Sequence, residues 1–306
     1  MTPTVPLRNN DENFVHVYEW GAWSNFLFPS LCTSAIRIEA RVRQSNSHIL
    51  KRLSVREGYF LFHINLTKPA SFFKNKGELV MRLKERNITS LNAGVNDISK
   101  KYLQGVCKQL GLNSTAASVE GDENELLIVK TNFNYGGREE KKLRRSEARR
   151  LNLHPLNYNA DINYPVMERK KIKNEDWNNE NLVIEKYIAN EYDHIYRVYK
   201  LLDKIVISEV IENNVIKKLS VVTQRTNYYY DLNNKNVLPV HNLKFNQLLT
   251  DVIYLCKAMH LDFAAVDVVK SDENEYYIID VNLTPNWSRD DYPELLNFLA
   301  EGLRRK

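Results

Sequence analysis

Cysteine is scarce in this chain. Three occur among 306 residues, Cys32, Cys107 and Cys256, in an odd count, widely spaced and without a CxxC. This excludes a disulfide framework and a cysteine zinc site, and it fits a reducing cytosol. The seven histidines form no HExxH or other paired ligand spacing, which removes the usual zinc-hydrolase patterns. No apolar run approaches the roughly 18 residues that a membrane span needs. The opening MTPTVPLRNNDENF is polar, without an apolar signal segment. The expectation is therefore a cytoplasmic protein with no membrane partner. Excess charge of one sign is also small. A formal net charge of +5 is not the footprint of a dedicated nucleic-acid binder, although an enzyme handling polyanionic nucleotides would show a similar balance. With 43% hydrophobic and 26% charged residues, disordered and fibrous classes are set aside. The length allows two or three lobes.

What is present is a mixture of strand and helix patterns. Residues 14–19, 36–43 and 58–64 read as strands, from their β-branched and aromatic content and partial alternation. Residues 76–87 have helical spacing, and Ile88–Leu91 reads as a further strand. Asn96-Asp97 is expected to cap a helix over 98–110, which Gly111 stops. The apolar run LLIVK, Leu126–Lys130, reads as a short buried strand ahead of the turn-rich TNFNYGG. Residues 138–150 are dense in charge, and 151–181 read as a long, partly irregular connection. Leu182–Ile188, Tyr196–Leu202 and Lys204–Glu212 are expected to be consecutive antiparallel strands. An amphipathic helix follows over 243–260, then a hairpin of 263–269 and 276–281, and a closing helix over 290–303. The expected fold class is α+β and multi-lobed.

Four groups of residues carry candidate chemistry. Asp267 lies in one strand of the predicted hairpin. Asp280 and Asn282 lie two apart near the end of the other, so they project from one face. Three hard oxygen ligands can then converge, which suits Mg²⁺ sharing its shell with water and phosphate. The plain alternative is turn capping, and the apolar surroundings VDVV and YYIIDVN weigh against it, because ionised carboxylates there are costly unless neutralised. Lys130 ends a buried strand and could deliver a point charge to a phosphate. Gly136-Gly137 would let backbone amides approach phosphates, the bland reading being a simple turn. Glu185 and the backbone of Lys186, Tyr187 and Ile188 could connect two lobes. Glu191 or Asp193 could accept from a ribose hydroxyl, and Arg197 could contact a phosphate; the bland reading is a surface-charged strand pair. The basic stretch 138–150 is either a solvated face or a lid.

Together these residues resemble the ATP-grasp superfamily. Its order is a lysine-bearing helix, a strand lysine with a glycine-rich loop, a connector and a terminal metal motif. VDVVKSDENEYYIIDVNLTPNW is similar to the terminal motif of the branch that holds the ribosomal-protein glutamate ligases and bacterial glutathione synthetase. The resemblance covers about residues 96 to 287. It implies that Asp267, Asp280 and Asn282 bind two Mg²⁺ ions, with Asp280 bridging and Mn²⁺ able to substitute. It also implies that Lys100 (alternatively Lys101) and Lys130 are the two nucleotide lysines. Glu185–Ile188 would be the hinge that holds adenine, and Arg197 the phosphate-contacting arginine. The glycine loop has fewer small residues than is usual in the family, and Ala265 stands where D-alanine ligases carry an arginine, which disfavours that branch. The implied domains are an α/β domain over 1–95, one ATP-grasp subdomain over 96–184 and a second over 185–306.

The chemistry that the resemblance implies is attack of a carboxylate on the γ-phosphate of ATP, giving an acyl phosphate and ADP, followed by attack of an amine. The partners would be ATP, a carboxylate, and an amine acceptor that a peptide could supply, with a homodimer among the allowed assemblies. Two other readings share these residues: a kinase acting on a hydroxyl, and a non-catalytic nucleotide-binding module.

Overall fold

The computed structural model describes residues 14–20, 35–54, 57–151, 153, 164–190, 194–211, 224–233, 245–285 and 293–304. Their twelve strands fall into three sheets. The first is parallel, in the order β2-β1-β3-β4, from Val15–Trp20 (β1), Ala35–Glu39 (β2), Gly58–Ile64 (β3) and Ile88–Leu91 (β4). The second, β6-β5-β7, is antiparallel: Leu126–Thr131 (β5) lies between Val166–Glu168 (β6) and Leu182–Lys186 (β7). The third, β10-β9-β8-β11-β12, is also antiparallel. It is built from His194–Leu201 (β8), Lys204–Ile211 (β9), Gln224–Asp231 (β10), Phe263–Lys270 (β11) and Tyr276–Asn282 (β12). The helices in chain order are Asn46–Lys51 (α1), Lys76–Lys84 (α2), Lys100–Gln109 (α3), Arg138–Lys141 (α4), Arg145–Arg150 (α5), Asn174–Trp177 (α6), Asn246–Ala258 (α7) and Pro293–Ala300 (α8). No helix among them is long and apolar enough to cross a membrane.

Three expectations change. The strand Leu182–Lys186 pairs with β5 and not with β8, so Leu182–Ile188 and Tyr196–Leu202 are not neighbours: the chain leaves one sheet and enters another between them. The helix cap is Ser99, whose hydroxyl accepts from the Tyr102 amide at 3.4 Å, while Asp97 accepts from the Ser99 amide at 2.7 Å. The stretch 151–181 is more regular than its composition suggests, because it contains β6 and α6. A three-residue edge strand has too little length to show a period.

Helix α3 shows how the local sequence sets the frame. Leu103, Val106 and Cys107 fall at helical spacing and are buried. The helix ends in a Schellman turn, in which Gly111 takes φ 71°, its amide donates to Lys108 O at 3.1 Å, and the Leu112 amide donates to Cys107 O at 2.9 Å. With α7, α3 covers one face of the third sheet, where Val198, Ile207, Val266, Ile278 and Val281 join the core. The opposite face is divided. At the Leu201–Phe263 end it packs on the parallel sheet and α8, through Val17, Leu61, Leu295 and Leu299. The other end carries polar residues.

Candidate active site

The strand register explains those polar residues. One rung of the third sheet, read across all five strands, is Asn227, Ser208, Arg197, Asp267 and Asp280. The adjacent rung is Tyr228, Ile207, Val198, Val266 and Val281, which turns to the other face and into the core. Period-two alternation thus separates a polar floor from an apolar underside. Two residues along β12 from Asp280, Asn282 stands opposite Ala265 on the same face as the polar rung. The expected metal residues Asp267, Asp280 and Asn282 are therefore brought to one patch.

The charges on this floor are paired. Arg197 donates from Nε to Asp267 Oδ1 at 2.6 Å and from a terminal nitrogen to Oδ2 at 2.7 Å, a bidentate arrangement. Lys100, buried at the start of α3, donates to Asp280 Oδ1 at 3.3 Å and to Phe133 O at 3.2 Å. Burial pushes the Asp280 carboxyl above its ordinary range; Lys100 pulls it down, Asp267 pushes it up, and Lys130 pulls it down. Burial would lower the ammonium pKa of Lys100, but Asp280 and other nearby acidic groups outweigh it, and the net shift is upward. A partly buried carboxylate raised by desolvation and by a neighbouring carboxylate is a group that a divalent cation would relieve. Two carboxylates and one carboxamide match the donor set of Mg²⁺, which takes few protein ligands and shares the rest with phosphate and water. Among the described residues, no three or more of His, Cys, Asp and Glu gather as a metal cluster; the third donor here is an asparagine.

The second sheet supplies the facing wall. Lys130 is ion-paired with the fully buried Glu185 at 2.6 Å, so the lysine expected at a phosphate is held by the first residue of the expected hinge. Of the hinge Glu185–Ile188, the Lys186 amide donates to Thr115 O at 2.6 Å and the Tyr187 amide to Leu126 O at 3.0 Å. The Ile188 amide has no backbone acceptor among the described residues. Gly136 and Gly137 follow Tyr135 in three successive left-handed residues, φ 49°, 65° and 73°. Only the tyrosine pays a steric penalty there. The loop is clamped from the parallel sheet's side: the Asn134 amide donates to Thr67 Oγ1 at 2.9 Å, and Glu140 accepts from both the amide and the hydroxyl of Thr67, at 2.7 Å each. Glu191 and Asp193 lie outside the described residues.

Burial raises the Glu140 carboxyl above its usual range despite the Thr67 bonds. A raised carboxyl costs stability above its folded pKa, and that cost is relieved as pH falls through it towards the ordinary value. We expect wild type to gain stability relative to Glu140→Gln between pH 7 and about pH 5, read as diverging urea midpoints. Parallel midpoints would show that Glu140 does not titrate there.

Several supporting residues escape sequence reading. Ser208 and Asn227 extend the polar rung, Oγ to Oδ1 at 2.5 Å, but the strand over 224–231 is not apparent from its composition. Gln104, buried in α3, donates to Ile278 O at 2.8 Å, and its Oε1 accepts from Ser114 Oγ and the Thr115 amide, both at 2.9 Å. It thereby ties β12 to the segment that pairs with β7. Helical periodicity marks it only as a polar residue on a buried helix face. Gln104→Ala leaves the Thr115 amide and the Ile278 carbonyl unpartnered, so the expected loss is about 3 kcal/mol by urea denaturation. A loss below about 1 kcal/mol would mean that water or a shift in the segment replaces the bonds.

No protein-family model matches the sequence, and no curated protein does. Solved structures do match. N5-carboxyaminoimidazole synthetase from Staphylococcus aureus, solved with ADP, has a TM-score of 0.52 at 11% identity, covering 95% of this chain and 77% of that one. A RiPP-associated ATP-grasp ligase from Chryseobacterium gregarium, solved with ADP and a leader and core peptide, has a TM-score of 0.51 at 11% identity over 95% and 96%. The macrocyclase MdnC from Microcystis aeruginosa, solved with precursor peptide MdnA, has a TM-score of 0.50 at 13% identity over 95% and 99%. At these identities the likeness establishes architecture, and the chain has the α+β ATP-grasp fold.

Proposed function

We propose that this chain is an ATP- and Mg²⁺-dependent carboxylate–amine ligase that forms an amide or peptide bond through an acyl phosphate, releasing ADP and phosphate. The observation that carries the reading is the rung Arg197–Asp267–Asp280 with Lys100 alongside, set in this fold. Asp267, Asp280 and Asn282 would hold Mg²⁺, which when bound supplies charge neutralisation at the phosphate oxygens. Lys100, Lys130 and Arg197 add fixed positive charge at a partly buried floor, where it acts more strongly than in water. Gly136 and Gly137 cover the phosphates, Glu185–Ile188 border the adenine, and Glu191 or Asp193 accepts from the ribose. The domains are 1–95, 96–184 and 185–306. Two of the matched structures contain a leader or precursor peptide, and this supports a peptide as one substrate of this chain.

The test is calorimetric titration of ADP with and without Mg²⁺, followed by phosphate release from ATP with paired carboxylates and amines, peptides included. Mg²⁺-dependent ADP binding, and phosphate release that requires both substrates, are expected. A stable phosphomonoester would replace the ligase with a kinase, and absence of nucleotide binding would remove both.

A further inference from the structure

A cleft of about 1040 Å³ opens between the parallel sheet and the far end of the third sheet. It is not the nucleotide floor. Leu202 lines it, five residues along the chain from Arg197, which is roughly 16 Å on an extended strand. Tyr59, Thr89 and Ser90 form one wall at the beginning of β3 and along β4, and the end of α7 and the chain's last turn form the other. The lining continues past the carboxyl end of β4 through Ala93 and Gly94.

Its walls are built and not frayed. Helix α7 ends in a Schellman turn, with His260 left-handed at φ 56° and the Leu261 amide donating to Cys256 O at 2.8 Å. Gly94 lies so close beneath His260 that a Cβ would meet its ring at 2.5 Å. Asn92 clasps the two lobes there: its amide donates to Asp262 Oδ2 at 2.7 Å, and its side chain bonds the backbone of Asp262 and Phe263 at 2.8–2.9 Å. The volume is that of a small-molecule site, and lobe junctions are where such sites occur.

The lining states the chemistry. Leu202, Leu232, Ile253 and Leu261 give an apolar side. Lys200, Lys257 and Arg304 give three cations, none ion-paired among the described residues. Lys200 donates instead to Leu261 O at 3.0 Å, which leaves its charge uncompensated. Two acids, Asp203 and Asp262, also line it, against the three cations, and Asp262 accepts from the Asn92 amide. The Ser90 hydroxyl is buried with no hydrogen-bond partner among the described residues. We propose that this cleft is a second ligand site, for a metabolite-sized anion with an apolar body, such as an aromatic or branched aliphatic acid. Lys257 and Arg304 hold the anionic group, and Leu232 and Ile253 cover the body.

The probe is anilinonaphthalene sulfonate, an aromatic anion, titrated by fluorescence into the full chain with and without saturating Mg²⁺ and ADP. Saturable binding at one equivalent, undiminished by the nucleotide, is expected. Lys257→Glu with Arg304→Glu should weaken it at least about tenfold, and Leu232→Asp, which removes apolar surface and adds a carboxylate beside the anion, should weaken it comparably. All three positions are exposed, so thermal transitions should match wild type; should the double variant melt early, the single Leu232→Asp variant decides. Displacement by ADP, or variants that bind as wild type does, would overturn the proposal.

Discussion

Replacing Asp280 with Asn should lower the Mg²⁺-dependent affinity for ADP by at least about 100-fold, or about 2.7 kcal/mol, with little change in the melting temperature of the nucleotide-free protein. The carboxylate sits opposite Asp267 and beside Lys100, where burial and the second acid disfavour its charge. A divalent ion offsets that cost, and an amide cannot match the charge it would supply. The fold should tolerate the change, since the Asn oxygen can still accept from Lys100, whose ammonium also donates to Phe133 O. Asp280→Ala, by contrast, removes that acceptor and strands a buried cation, so it should lose binding and stability together. Calorimetry with and without Mg²⁺, alongside a thermal melt, separates these outcomes. An Asp280→Asn variant that binds Mg²⁺ and ADP as wild type does would remove the metal assignment.

Much of this site is legible in the sequence, for a physical reason. The hairpin 263–282 is local, so spacing alone brings Asp267 opposite Asp280 and places Asn282 on the same face. The alternation of VDVV and IIDVN already separates the polar face from the apolar one. The strands over 58–64 and 88–91 have the expected limits, because each is a short run with clear β propensity. What is not legible depends on contacts distant in sequence. That Lys130 meets Glu185 rather than standing alone requires β5 to lie beside β7, 55 residues later. That Arg197 is bidentate to Asp267 requires β8 to pair with β11 across 70 residues. The separation of Leu182–Lys186 from Tyr196–Leu201 into different sheets has no local signature, since antiparallel hairpins and sheet-changing connections begin with the same apolar strands. Gln104 and Glu140 read as ordinary polar helix residues until the chain folds and buries them.

Arg197→Met should be the most destabilising single change on the floor, at about 3–5 kcal/mol by urea denaturation. Arg197 and Asp267 are both largely buried, and each guanidinium–carboxylate bond is short. Methionine fills much of the volume but leaves Asp267 with no countercharge on that strand, and an uncompensated buried carboxylate is expensive. Removing both charges tests the origin of the loss. Arg197→Met with Asp267→Leu replaces a buried ion pair by apolar side chains of similar size, which is often neutral or stabilising. The double variant should therefore recover most of the lost stability, giving a large coupling energy in the double-mutant cycle. It should not recover Mg²⁺-dependent nucleotide binding, because the proposed site loses a metal ligand and a phosphate-facing cation at once. A single Arg197→Met variant within about 1 kcal/mol of wild type would show that the pair is effectively solvated. A double variant as unstable as the single would show that the loss comes from packing around β8 and β11. Stability recovered without binding is the signature of a pair retained for its ligand, since apolar residues would hold the sheet equally well.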